Sequence, residues 1–133
     1  MRVEGPPPVP PSLGGGKPAY SDEAINVFIH HVQDFLNHQP PYFDDQGQCS
    51  REGVNVLFNF YQTYHTNNPG DWDVFSDLDQ TGKDAMDESW TTLGGEISYN
   101  REEVQTVLDD FKTAYGHLTG HTSPEYDRHQ YGT

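Results

Sequence analysis

Apolar residues recur at helical spacing in three long stretches of the chain. In the first, Ile25, Phe28, Ile29, Val32, Phe35 and Leu36 form one stripe, while Asn26, His30, Gln33, Asp34 and Asn37 fall on the other side. Ser21 is suited to cap this helix, Asp22 and Glu23 suit the positive end of its dipole, and Pro40-Pro41 stops it, which predicts a helix over 22–38. A turn signal follows at Asp44-Asp45-Gln46-Gly47. Ser50 can cap the second helix, with Val54, Leu57, Phe58, Tyr61 and Tyr64 as its stripe. Val56 and Phe60 add apolar surface on a second side, so this helix is expected to be the most buried, and Asn67-Asn68-Pro69-Gly70 closes it. The third stretch opens on Asn100 with Glu103 completing a capping box and Tyr99 placed to staple onto Val104. Its stripe is Val104, Val107, Leu108, Phe111, Ala114, Tyr115 and Leu118.

The intervening segment has a weaker pattern. Asn68 as cap and Pro69 at the first helical position allow a short helix through Trp72 and Phe75. Asp77 to Lys83 reads as loop, and Met86, Trp90 and Leu93 predict a second short helix closed by Gly94-Gly95. Glu96 to Tyr99 is too short a strand signal to carry a sheet. Residues 1–20 hold Pro6-Pro7-Pro8-Val9-Pro10-Pro11 and Gly14-Gly15-Gly16, an extended arm or linker; Arg2 and Lys17 are not spaced for a groove-docking proline ligand. Residues 119–133 are polar and aperiodic, and read as a flexible tail. The expectation is an all-α chain: a small compact domain of three long and two short helices over 21–118, with a disordered Pro/Gly-rich arm and a polar tail.

Composition narrows the function. The 133 residues carry 7 Lys+Arg against 21 Asp+Glu, a net charge of −14. Direct binding to nucleic acid or to an anionic membrane needs the reverse balance, so neither is expected. Neither a membrane span nor the apolar core of a signal peptide is present in the pattern, and the lone Cys49 has no internal partner, which fits the cytoplasm or another reducing compartment. The charge is also concentrated. Between Asp71 and Asp110 lie twelve acids and two bases, Lys83 and Arg101. Such a segment can steer and hold a basic partner, as nuclease inhibitors, DNA mimics and assembly subunits do. The candidate contact residues are Asp71, Asp73, Asp84, Asp87, Glu96, Glu102, Asp109 and Asp110; the alternative is that the acids only keep the chain soluble.

Part of the same segment has a second possible chemistry. Asp77, Asp79 and Thr81 stand at alternate positions, Gly82 can make a sharp turn, Lys83 can offer its backbone carbonyl, and Glu88 is placed to close an oxygen shell bidentately. Residues 77–88 thereby resemble the calcium loop of the EF-hand family. The resemblance covers this loop and its flanks, and implies a helix on either side with calcium held by Asp77, Asp79, Thr81, Lys83 and Glu88.

Other chemistry is weakly signalled. His117 and His121 have the spacing of a two-histidine zinc site, but no further ligand follows, and exposed histidines explain them better. His30-His31 point to different sides of a helix. Cys49 carries no nucleophile signature, no phosphate loop, nucleophile elbow or HExxH is present, and the adjacent Glu102-Glu103 and Asp109-Asp110 carboxylates diverge on a helix surface, so no enzymatic activity is expected. The aromatics at 58–64, with Trp72 and Trp90, read as core rather than as a binding platform. The leading expectation is a small acidic binding protein for a basic protein or larger assembly. A degenerate calcium-binding domain is the alternative.

Overall fold

The computed structural model describes residues 18–66, 73–95 and 98–128. They form an all-α fold whose elements are α1 (Ser21–Leu36), α2 (Arg51–Thr66), a 3-10 turn (Val74–Asp77), α3 (Gln80–Gly95) and α4 (Arg101–Gly116), with only isolated β-bridges between loops. Among the described residues there are four helices of sixteen residues and one short 3-10 turn, where three long and two short helices were expected. The proposed helix start at Asn68 and the residue Trp72 lie outside the described residues.

Helix α1 buries its expected stripe up to Phe35, leaves Leu36 partly buried, and adds Ala24 and Val27; Ala24, Ile25, Val27, Phe28, Ile29, Val32 and Phe35 are all at 2% exposure or less. Ser21 is not its cap. Tyr20 holds that position without a side-chain bond, and Ser21 is the fully buried first residue of the helix. Its N–H donates to the His121 carbonyl (2.6 Å) and its hydroxyl to Asp77 (2.5 Å). Tertiary partners thus satisfy groups that a local cap would otherwise serve.

The loop from Asn37 to Ser50 makes the expected turn. Asp44 accepts from the N–H groups of Gln46 and Gln48 (2.9 Å each), and Gly47 takes φ +84°, where a side chain would be strained. The loop is tied to the start of α4 by Cys49 N–H to the Tyr99 carbonyl (2.9 Å) and Arg101 N–H to the Gly47 carbonyl (2.8 Å). Ser50 caps α2 as its sequence suggested, accepting from Gly53 N–H (3.1 Å). The inner face of α2 is Gly53, Leu57, Phe60 and Tyr64, one position round from the predicted stripe. Phe60 faces the core, and Phe58 and Tyr61 are half-buried. The reason is Gly53: a β-carbon there would meet Cys49 Sγ at 2.5 Å and Tyr42 Cβ at 2.9 Å, so the helix turns its glycine inward to approach that loop. Helix α1, not α2, is consequently the most buried element.

Helix α4 has the predicted capping box, with Glu103 N–H donating to Asn100 Oδ1 (2.8 Å) and Asn100 N–H to Glu103 Oε1 (3.0 Å). It packs against both α1 and α3. Phe28 is the centre of the aromatic core, with ring centroids 6.0 Å from Phe60, 5.5 Å from Tyr64, 5.5 Å from Trp90 and 5.4 Å from Phe111. One ring therefore joins all four helices, and its truncation is worth about 3–5 kcal/mol.

The segment after α4 is packed rather than free. Leu78 and Leu118 form an antiparallel bridge, and Thr119 N–H donates to the Asp77 carbonyl (2.7 Å). Ser123 is buried and bonds the buried Asp22, while the Tyr126 hydroxyl donates to the Tyr115 carbonyl (2.7 Å). The expected tail is thus docked over 119–128. Residues 1–17 and 129–133, the bulk of the predicted arm and the end of the tail, lie outside the described residues.

Candidate functional site

The segment 77–88 is built differently from the loop its sequence suggested. Asp79 is an N-cap, its carboxylate accepting from Gly82 N–H (2.9 Å) while Lys83 N–H reaches its carbonyl (2.8 Å), and α3 is continuous from Gln80 onward. Gly82 does not break the helix. It is buried in the first turn, because a β-carbon there would meet Leu78 at 3.0 Å and His117 at 3.1 Å. In a helix, Thr81 and Glu88 are separated by about 10 Å along the axis, and Lys83 points to another side. The five residues of the calcium reading therefore do not converge, and among the described residues no group of three or more His, Cys, Asp or Glu could hold a metal ion.

The two loop aspartates are already engaged by histidines. His117 Nδ1 lies 2.9 Å from Asp79 Oδ2, and His121 Nδ1 lies 3.2 Å from Asp77 Oδ2. The Gly82 N–H and His117 together hold the Asp79 carboxyl below the usual carboxylate range. Ser21, Asp77 and His121 are adjacent, but the carboxylate stands between the hydroxyl and the imidazole. Asp77 thereby ties the first residue of α1 to the segment after α4. At Cys49, burial pushes the thiol up to about 11.

The candidate contact acids fall into separate groups. Asp71 and Glu96 lie outside the described residues. Asp73 caps the 3-10 turn, accepting from Phe75 N–H (3.0 Å) and the Ser76 hydroxyl (3.2 Å). Glu102 borders an open cleft of about 400 Å³ with Asp44, Asp45 and Arg101. Asp84 accepts from Gln80 Nε2 (2.9 Å), and Asp109 from Gln105 Nε2 (3.2 Å), both exposed. Asp87 is exposed beside an aromatic pocket.

Asp110 differs from all of these. The antiparallel packing of α3 on α4 brings it against Glu88, a residue assigned from sequence to the calcium shell. Burial, then the neighbouring Glu88 carboxylate, then Asp109, push the Asp110 carboxyl up to about 7. Its Oδ2 is buried with no hydrogen-bond partner among the described residues. Each of these influences acts against the ionised form of Asp110, at the junction of two helices. No local motif marks this pair, because Glu88 and Asp110 are on different helices.

No protein family, no curated protein and no solved structure matches the chain.

Proposed function

We propose that this chain is a small acidic, non-enzymatic binding protein that engages a basic protein through the α3–α4 face centred on Glu88 and Asp110. The observation that carries this reading is the Glu88–Asp110 contact. Two carboxyls held together at a helix junction cost stability, and a lysine or arginine side chain set between them turns that cost into binding energy. Asp84, one helical turn from Glu88, and Asp109 extend the negative field around the pair. The net charge of −14 adds long-range steering of a cationic partner.

The test is calorimetric titration with oligolysine and oligoarginine peptides at pH 7, in two buffers of different ionisation enthalpy and from low to moderate salt. A cation docking at Asp110 drives off its proton. The expected result is therefore binding that weakens at least tenfold with salt, releases a fraction of one proton, and is lost in Glu88→Gln/Asp110→Asn. Binding that is insensitive to salt, or unchanged in the double variant, overturns the reading.

A further inference from the structure

A pocket of about 270 Å³ opens between α1, α2, the 3-10 turn and α3, with no residue of α4 in its lining. Its walls include Phe28, Tyr64, Phe75 and Trp90, and two carboxylates, Asp73 and Asp87, belong to the same lining. The Phe28 ring meets Tyr64 at 57° and Trp90 at 73°, so the rings form angled walls rather than a flat stack. Trp90 and Phe75 are half-exposed, and both aspartates are exposed. Among the described residues no lysine or arginine lines the pocket, and the basic ring in the lining is His65.

The two aspartates are available in different ways. Asp73 is oriented by its bonds from Phe75 N–H and the Ser76 hydroxyl. Asp87 makes no side-chain hydrogen bond and no ion pair among the described residues. Phe75 already attracts a cation: the Lys83 ammonium stands 5.8 Å from its ring centroid.

These features select among ligands. An anion is opposed by both carboxylates. A neutral apolar ligand leaves them unused, and a divalent metal ion needs several converging ligands, whereas among the described residues no group of three or more His, Cys, Asp or Glu could hold one. A methylated ammonium group fits both parts, since its charge is spread over an apolar surface that aromatic faces attract and carboxylates complement. The volume suits a head group rather than a drug-sized molecule. We propose that this pocket binds a methylated ammonium group. It uses residues other than Glu88 and Asp110, so it goes beyond the reading of the α3–α4 face. The group is presented by a small free molecule such as choline or by a methylated lysine side chain.

The experiment follows the Trp90 indole N–H by NMR, with calorimetry, while choline, its neutral isostere 3,3-dimethylbutanol, a trimethyl-lysine peptide and the unmodified peptide are titrated in turn. The expected result is saturable choline or trimethyl-lysine binding that shifts the Trp90 signal and is at least tenfold tighter than for the neutral isostere. Asp87→Asn, at an exposed residue, weakens it threefold to tenfold. A trimethyl-lysine peptide binding tenfold tighter than choline identifies a protein side chain as the source, and equal affinities identify the free molecule. Glu88→Gln leaves this binding unchanged while weakening oligolysine binding, so the two sites fail separately. Equal binding of cation and neutral isostere, or no saturable shift at Trp90, overturns the proposal.

Discussion

Ser123 holds Asp22 from 101 positions away in the chain, giving its N–H to one carboxylate oxygen at 2.7 Å and its hydroxyl to the other at 2.5 Å. Asp22 is 3% exposed in the first turn of α1, so these bonds rather than water satisfy its carboxyl oxygens. Ser123→Ala is expected to cost about 1.5–3 kcal/mol, the usual value of a hydrogen bond to a charged group. Removing everything after Leu118 is expected to cost more. Urea unfolding of both variants checks this, and an unchanged midpoint in the truncated chain would show that the segment contributes nothing.

Asp110 makes stability depend on pH with an unusual sign. Its folded carboxyl titrates near 7, against 3.8 for an ordinary aspartate. Between those values the native state keeps a proton that the unfolded chain releases, so stability declines as pH rises through this window and is flat above it. Asp110→Asn is expected to remove that decline and to stabilise the protein at pH 8 by about 1–2 kcal/mol, allowing for solvent screening of a half-exposed group. Unfolding midpoints at pH 5, 6, 7 and 8 for both proteins test it; superimposable profiles would refute it.

His31 opposes that trend on the acid side. Its ring packs against Phe60 (5.2 Å) and Tyr64 (5.6 Å), and Nε2 is buried without a hydrogen-bond partner. Burial, partly offset by Asp34 and reinforced by His30, lowers its proton affinity. The folded protein therefore has stability that is present above the ordinary histidine value and is lost as pH falls below it. His31→Phe is expected to raise stability by about 1 kcal/mol at pH 7 and by more at pH 5, with the widening gap as the readout.

Asp79 distinguishes a cap from a metal ligand. As the N-cap of α3 it is expected to cost about 1–2 kcal/mol when changed to alanine, and Asp79→Ser is expected to restore about half of that, since serine also caps. A calcium shell made of Asp77, Asp79, Thr81, Lys83 and Glu88 needs the first two turns of α3 to unwind. Far-UV circular dichroism is expected to be unaltered by calcium. A calcium-dependent loss of helix that disappears in Glu88→Gln would instead support the loop.

Helices α1, α2 and α4 were legible because their signals are local. Ser50, the Asn100–Glu103 box and the stripe from Val104 to Leu118 each lie within a few residues of the element they define. The start of α3 was not. Alternating acids around Gly82 look like a loop, and what makes them helical is the Asp79 cap together with the close approach of Leu78 and His117 to the glycine. The docking of residues 119–128 was hidden for another reason. It rests on backbone groups and on the side chains of Thr119, His121, Ser123 and Tyr126, which leave no apolar period to read. The Glu88–Asp110 pair depends on how α3 and α4 are set against each other, a relationship that neither helix carries alone.

Both ends of α4 are clamped by earlier chain. At its start Gln48 pairs with Asn100 and Gly47 accepts from Arg101, and just beyond its end Leu118 pairs with Leu78 while His117 bonds Asp79. A helix pinned at two points cannot slide along its axis. The mechanical route by which neighbouring helices normally separate like charges, a small shift of one past the other, is closed to α3 and α4. Repulsion between Glu88 and Asp110 is therefore not relieved by helix sliding, and something that arrives from outside, a proton or a cation, discharges it.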